Sequence, residues 1–248
     1  MSLTISSTVT LNNGVEMPLF GLGVFRTPPG TATQQAVSYA LQIGYRLIDT
    51  ASAYGNEEEV GIGVAESGID RHEVFVTTKA WIDEQGLEET RAACERSLQL
   101  LGMDYLDLYL IHWPAPGRWL DAWRAMLALR EEGKCRAIGV SNFTIRHLRE
   151  LQAATSVEPA VNQVEFSPFH FDKDLLDYCR EHNIRVESYS PLTRGEKFNH
   201  PTLHAIAARH GKSPAQILIR WTLQHAVVVI PKSANPAHIR ENADVFDF

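Results

Sequence analysis

Residues 74–112 read VFVTTKAWIDEQGLEETRAACERSLQLLGMDYLDLYLIH and contain one complete strand–helix–strand unit. Its two ends, Val74–Lys79 and Leu106–His112, are rich in apolar and β-branched residues, which is typical of strands buried in a parallel sheet. Between them lies an amphipathic helix whose apolar face is predicted to carry Leu87, Cys94, Leu98 and Leu101. This helix needs a larger sheet to cover its apolar face, so we expect similar units on both sides of it.

The same alternation continues in both directions along the chain. The other six predicted strands are Phe20–Val24, Leu47–Thr50, Arg136–Ser141, Ala160–Phe166, Val186–Pro191 and Val227–Pro231. Eight strand–helix units within 248 residues predict a closed (β/α)₈ (TIM) barrel and one domain over residues 1–248. A turn-forming run at 11–15 predicts a β-hairpin ahead of the barrel. The alternative is an open doubly wound sheet, which the lack of a G-x-G-x-x-G motif after the first predicted strand disfavours.

Composition disfavours several classes of protein. The chain has 23 Lys and Arg against 30 Asp and Glu, a net charge of −7, which argues against nucleic-acid and anionic-membrane binding. It has no apolar run of about 18 residues and no signal-peptide pattern at its start. Its cysteines fit neither a disulfide framework nor a zinc site: Cys94, Cys135 and Cys179. We therefore expect a cytoplasmic protein with a small-molecule partner and no bound metal.

Four polar side chains are predicted to meet at the carboxyl ends of neighbouring strands, where barrel active sites form. They are Asp49 at the end of the second predicted strand, Lys79 at the end of the third, His112 at the end of the fourth, and Tyr54 in the loop after the second. Since buried charges need partners, Asp49 and Lys79 should pair. Lys79 beside Tyr54 should lower the pKa of the phenol, which could then protonate a carbonyl oxygen. His112 could orient that oxygen, and the missing hydride donor is usually a nicotinamide.

Residues 44–57, GYRLIDTASAYGNE, resemble the signature of the aldo-keto reductases. Further blocks match the same family in order: LYLIHWP at 108–114, GVSNF at 139–143, VNQVE at 161–165, YSPL at 189–192 and IPKS at 230–233. The resemblance covers essentially the whole chain and is nearest to the bacterial branch that includes the diketogluconate reductases. It implies an NADPH-dependent enzyme that reduces small aldehydes and activated ketones or dicarbonyls. It also implies a monomer.

The resemblance also implies a role for individual residues. Tyr54 would be the general acid, Asp49 and Lys79 would tune it, and His112 would orient the carbonyl. The implied nicotinamide contacts are Ser141, Asn142 and Gln163 for the carboxamide and Tyr189 for the ring. The implied contacts with the rest of the cofactor are Ser190, Leu192 and Thr193 along the pyrophosphate, Lys232 and Ser233 at the 2′-phosphate, and Glu241 and Asn242 at the adenine. The apolar walls of the substrate pocket would be Phe25, Trp81 and Trp113.

The sequence departs from the family pattern at two places. His238 stands six positions after Lys232, where the family commonly has an arginine that grips the cofactor. We therefore expect Lys232 to keep NADPH favoured while NADH remains usable. Family members usually continue into a further helix and a substrate loop that are absent here, so we expect an open, shallow pocket.

Two other functions fit part of the pattern. A barrel aldolase would use Lys79 to form a Schiff base, but a lysine paired with Asp49 is a poor nucleophile. The second alternative is a protein of another class, a sensor or partner subunit that binds NADP(H) with little turnover. It would need only the cofactor-binding residues. The complete set of four polar residues at the strand ends disfavours it.

Overall fold

The computed structural model describes residues 3–28 and 30–248. Its elements, in chain order, are β1 (Thr8–Thr10), β2 (Glu16–Pro18), β3 (Leu22–Gly23), α1 (Thr31–Gln42), β4 (Leu47–Asp49), α2 (Glu57–Glu66), β5 (Phe75–Ala80), α3 (Leu87–Leu101), β6 (Leu106–Ile111), α4 (Trp119–Glu131), β7 (Cys135–Ser141), α5 (Ile145–Thr155), β8 (Val161–Glu165), α6 (Lys173–Glu181), β9 (Arg185–Tyr189), α7 (Pro201–His210), α8 (Pro214–Gln224), β10 (Val228–Val229) and α9 (Pro236–Ala243).

Strands β3 to β10 form one parallel sheet in chain order, which confirms the predicted (β/α)₈ architecture. The two outer strands meet through parallel bridges between Phe20 and Val229 and between Gly23 and Lys232. Gly21 lies in this seam, where its N–H donates to the carbonyl of Val229 at 2.9 Å. A Cβ on Gly21 would lie 2.4 Å from Cγ of Leu47, so the seam requires glycine.

The predicted strand bounds are too long at this seam. The first predicted strand, Phe20–Val24, is reduced to Leu22–Gly23, and the eighth, Val227–Pro231, to Val228–Val229. The reason is that the strands on the two sides of the seam are joined by single bridges instead of a continuous ladder. A second difference is Leu87, which is predicted on the buried face of its helix. It is 48% exposed, because it is the first residue of α3.

The hairpin of β1 and β2 is antiparallel, as predicted, and closes the bottom of the barrel. Asn12 donates from Nδ2 to the carbonyl of Pro159 at 3.0 Å, just before β8. Asn13 donates likewise to the carbonyl of Arg136 at 2.9 Å, at the start of β7. Met17 is fully buried beneath the sheet. These contacts tie the hairpin to the amino ends of the strands, opposite the end where barrel active sites lie.

A buried carboxylate also stabilises the amino end of the barrel. Asp107, the second residue of β6, accepts from Arg71 at 2.8 Å and from Arg136 at 2.7 Å. Its Oδ2 also accepts from the backbone N–H of Val76 at 2.9 Å. Since these partners satisfy both oxygens, Asp107 has a structural role at this end.

No helix within residues 3–28 and 30–248 is long and apolar enough to cross a membrane. The three cysteines are free and buried, as expected from their spacing. After α9, the side chain of Val245 is buried and Phe246 packs edge-on against Phe20 at 5.7 Å between ring centroids.

Candidate active site

The structure brings Asp49, Tyr54, Lys79 and His112 together at the carboxyl end of the barrel. Lys79 is fully buried near the end of β5, and its Nζ is the centre of the cluster. Nζ donates to Oδ1 of Asp49 at 2.7 Å, to the carbonyl of Thr50 at 2.8 Å and to Oη of Tyr54 at 3.3 Å. One ammonium therefore holds both the carboxylate and the phenol.

A short 3₁₀ turn over Ser52–Tyr54 places the phenol above this ammonium. Asn56, which the sequence did not indicate, follows this turn and ties it to the preceding segments of the chain. Its Oδ1 accepts from Oγ1 of Thr50 at 2.8 Å, and its Nδ2 donates to the carbonyl of Val24 at 3.1 Å. Because Asn56 is buried, losing either bond would leave a polar group unpaired.

The net pKa of Tyr54 differs from the expectation. Burial raises the pKa of the phenol more than the Lys79 ammonium lowers it, so the net pKa lies above the ordinary value. The sequence indicated the lysine but not the depth at which the phenol lies. For Lys79, burial lowers the pKa, but Asp49 and Tyr54 raise it by more. The cluster is thus a lysine ammonium beside a neutral phenol at neutral pH.

His112 lies directly after β6, beside the phenol. Its ring is edge-on to Tyr54 at 5.7 Å and to Trp81 at 4.8 Å between centroids. Burial lowers the pKa of His112 to about 3, and the Lys79 ammonium acts in the same direction. The imidazole is therefore neutral near pH 7, so it can donate one hydrogen bond to a substrate oxygen without supplying a full charge.

The three predicted wall residues lie at the same mouth. Phe25 packs against Tyr54 at 4.9 Å between ring centroids, and Trp81 packs against His112. Phe25 and Trp113 are 48% and 42% exposed. Together they form an open apolar rim around the phenol and the imidazole.

The residues predicted to contact the nicotinamide are close to this cluster. Asn142 donates from Nδ2 to the carbonyl of His112 at 3.0 Å and accepts from Oη of Tyr189 at 2.8 Å. Oγ of Ser141 donates to the carbonyl of Gln163 at 2.8 Å. Asn142 has φ of 61°, a left-handed conformation that is uncommon outside glycine. In this conformation its side chain bonds to His112 and Tyr189.

Gln163 pairs with Ser141 across the sheet, but its side-chain amide is directed at two buried carboxyl groups. Its Nε2 donates to Oδ2 of Asp49 and to Oε2 of Glu187, both at 2.8 Å. A cofactor carboxamide would therefore have to meet Gln163 through Oε1. The sequence did not indicate Glu187 as a site residue, because it lies in the middle of β9 and not at a strand end.

The segment after β9 contains three non-glycine residues in the left-handed backbone conformation. Ser190, Thr193 and Arg194 have φ of 49°, 50° and 53°, although none is glycine. Such residues cost about 1–3 kcal/mol each and occur mainly at functional sites. Oγ1 of Thr193 is also buried without a hydrogen-bond partner among the described residues. Leu192, the other residue predicted here, packs partly buried against the core.

Lys232 and Ser233 follow β10, and α9 begins shortly after them. Ser233 accepts at Oγ from the N–H of Asn235, whose side chain caps α9. Partial burial of its ammonium lowers the pKa of Lys232, although the residue as a whole is exposed. The predicted adenine-side residues lie on α9: His238, Glu241 and Asn242, of which His238 is exposed and Asn242 buried.

Arg240 does not take the place of the family arginine whose position is occupied here by His238. Its Nε donates to Oη of Tyr39 at 3.0 Å, and its guanidinium lies 5.7 Å from the centre of that ring. This contact holds Arg240 against α1. The cation expected at the 2′-phosphate is therefore Lys232.

Comparison with known proteins identifies the family to which this chain is similar. A model of the aldo/keto reductase family matches residues 20–200 and 196–248. Glyoxal reductase of Bacillus subtilis is 52% identical over 248 residues, which are 100% of this chain and 90% of that protein. The crystal structure of an aldo/keto reductase from Brucella melitensis superposes with a TM-score of 0.95 at 45% identity, covering 100% of this chain and 95% of the other. A Bombyx mori aldo-keto reductase in complex with NADP gives a TM-score of 0.92 at 36% identity, covering 99% and 89%.

Proposed function

Because this chain belongs to the aldo/keto reductase family and is an NAD(P)H-dependent oxidoreductase, we propose that it reduces small aldehydes, activated ketones and dicarbonyls with NADPH. The observation that carries the proposal is the contact of one buried ammonium, Lys79, with both Asp49 and Tyr54 at the barrel mouth. The relative named glyoxal reductase favours small dicarbonyls as the first substrates to examine. The reverse oxidation of alcohols follows from the same chemistry.

The residues around the mouth fit a nicotinamide dinucleotide. Ser141, Asn142 and Oε1 of Gln163 offer donors and acceptors for a carboxamide, and Tyr189 offers an aromatic face. The strained segment after β9 and the unpartnered hydroxyl of Thr193 suit a pyrophosphate. A bound reduced nicotinamide supplies hydride to the carbonyl carbon.

The protein's own groups move the proton. In reduction, Tyr54 donates its hydroxyl proton to the carbonyl oxygen as negative charge develops there. Its raised pKa keeps the phenol protonated before the reaction. The Lys79 ammonium, 3.3 Å from Oη, stabilises the phenolate that remains, and Asp49 holds the ammonium in place. His112 orients the same oxygen with a neutral N–H.

The test is the loss of NADPH absorbance with glyoxal, methylglyoxal and short aldehydes, with unactivated ketones as the matched poor substrates. We expect turnover that favours the dicarbonyls and aldehydes because their carbonyl carbons are the more electrophilic. NADPH binding with no turnover on any carbonyl would instead indicate a cofactor-binding subunit. Borohydride trapping of a Schiff base on Lys79 would indicate the aldolase.

Cofactor preference gives a separate prediction at Lys232. Replacing Lys232 by glutamine should raise the Kd of NADPH about 10-fold or more, because a charged hydrogen bond contributes about 1.5–3 kcal/mol. The Kd of NADH, which lacks the 2′-phosphate, should change less than about twofold. Fluorescence titration with both cofactors measures the difference.

Lys134→Gln is the matched control, since Lys134 is exposed at the opposite end of the barrel. Equal weakening of both cofactors in Lys232→Gln would contradict a 2′-phosphate contact. An absence of NADH turnover at millimolar NADH in the parent protein would contradict the expected dual use.

A further inference from the structure

The floor of the site is the buried group of Asp49, Lys79, Gln163 and Glu187. Glu187 is a second carboxyl group that the reaction outlined above does not use. Glu187 is fully buried in β9, two residues before Tyr189. Its neighbours across the sheet are Gln163 in β8 and the apolar Val228 in β10. Its Oε2 accepts from Nε2 of Gln163 at 2.8 Å, whereas Oε1 has no hydrogen-bond partner among the described residues.

The same amide connects Glu187 with the ion pair of the site. Nε2 of Gln163 donates one hydrogen to Glu187 and one to Oδ2 of Asp49, each at 2.8 Å. Lys79 lies 2.7 Å from Asp49, and none of its three hydrogen bonds goes to Glu187. One ammonium can neutralise one carboxylate, so a second buried anion would have no counter-charge. Because Asp49 is already paired with the Lys79 ammonium, Glu187 is the carboxyl group expected to hold a proton.

We propose that Glu187 is a positioning residue that holds this proton in the barrel floor and, through Gln163, Asp49 and Lys79, controls how readily Tyr54 releases its own. The proposal deepens the proposed function and rests on Tyr54 as the acid. With Glu187 neutral, the floor carries one cation and one anion. With Glu187 ionised, a second negative charge opposes the formation of the phenolate.

The electrostatics agree with this geometry. Burial and the carboxylate of Asp49 raise the pKa of Glu187 to about 8, against smaller opposing effects of the Gln163 hydrogen bond and the Lys79 ammonium. The charged groups that face it are Asp49 from β4 and Lys79 from β5, with the phenol of Tyr54 above them. Glu187 would thus ionise within the pH range in which reductases are assayed.

Above about pH 8 the parent protein gains a negative charge near Tyr54, which raises the pKa of the phenol. Glu187→Gln keeps the shape of the side chain but never ionises. The apparent pKa of Tyr54 should therefore be lower in Glu187→Gln, by about one unit for charges in a medium of intermediate dielectric.

The first experiment needs no turnover. Tyrosinate absorbance is titrated with alkali in the cofactor-free protein, and the signal of Tyr54 is isolated by subtracting the same titration in Tyr54→Phe. The subtraction is repeated in the Glu187→Gln background. A downward shift of about one unit supports the proposal, and an unchanged titration overturns it.

The second experiment uses activity. The alkaline limb of the kcat profile should move to lower pH in Glu187→Gln by the same amount, with KM for the carbonyl changed less than about twofold. A residue that only packs the floor would lower kcat at every pH without moving the limb. Such a uniform loss would overturn the proposal.

Glu57→Gln is the matched control, because Glu57 is also a buried glutamate with a raised pKa but contacts Thr78 instead of the site. Neither titration should move in Glu57→Gln. If Glu187→Gln does not fold, the protonation of Glu187 is followed instead by carbon-13 NMR of the glutamate carboxyls. The Glu57→Gln background is used because it removes the other buried glutamate with a raised pKa. A carboxyl that stays protonated to about pH 8 supports the proposal, and ionisation of all of them below about pH 6 overturns it.

The outcomes separate this proposal from the proposed function. Absent turnover with a shifted Tyr54 titration would contradict the reductase and leave the role of Glu187 intact. Turnover with unshifted titrations would do the reverse.

Discussion

Replacing Tyr54 by phenylalanine is expected to lower kcat for carbonyl reduction by about 10²- to 10⁴-fold, the usual contribution of a positioned general acid. The phenylalanine ring keeps the packing against Phe25 and the edge contact with His112. Only the hydroxyl is lost, and with it the group 3.3 Å from Nζ of Lys79. The effect should therefore fall on the chemical step and not on folding.

The measurement combines steady-state kinetics with a fluorescence titration of NADPH. The Kd of NADPH should stay within about twofold of the parent value, since the hydroxyl is placed to act on the substrate. Tyr105→Phe is the control, because Tyr105 precedes β6 at the other end of the barrel and stacks with Arg71 at 4.2 Å. A Tyr54→Phe variant with near-parental kcat would remove Tyr54 from the mechanism.

Replacing Lys79 by methionine is expected to abolish turnover and also to lower the free energy of unfolding by about 3–5 kcal/mol, because it leaves Asp49 as an uncompensated buried charge. Lys79 is fully buried, so water cannot take its place beside the carboxylate. The carbonyl of Thr50 would also lose its donor at 2.8 Å. Urea denaturation followed by circular dichroism measures the change.

Two variants isolate the cause. Lys79→Met combined with Asp49→Leu removes both charges and should recover much of the lost stability, but no activity. Lys173→Met is the surface control, since Lys173 forms an exposed pair with Asp177 and its loss should leave unfolding unchanged within error. If the double variant were no more stable than Lys79→Met, burial of an unpaired Asp49 would not be the source of the loss.

The alternation of strands and helices was predictable because buried parallel strands and amphipathic helices have different periodicities. The positions of Asp49, Lys79 and His112 followed from the same reasoning, since a charge at the end of an apolar strand is costly without a partner. The short strands at the seam were not predictable. They depend on how the first strand meets the last, which is a contact between residues far apart in sequence.

Depth in the barrel was the other property that the sequence did not show. It determines the net pKa of Tyr54, where burial outweighs the lysine. It also conceals Glu187, whose importance depends on the reach of Gln163 across the barrel to Asp49. The sequence signal that would have indicated Glu187 is an acidic residue within a predicted strand of a barrel whose strands are buried.

The strand β6 connects two separate tasks. Asp107 near its start binds two arginines at the amino end of the barrel, and His112 just after its end faces the substrate mouth. Loops at the mouth can therefore be exchanged during evolution without weakening the arginine cluster beneath them. Substrate range and the stability of the barrel therefore depend on opposite ends of one strand and are open to separate change.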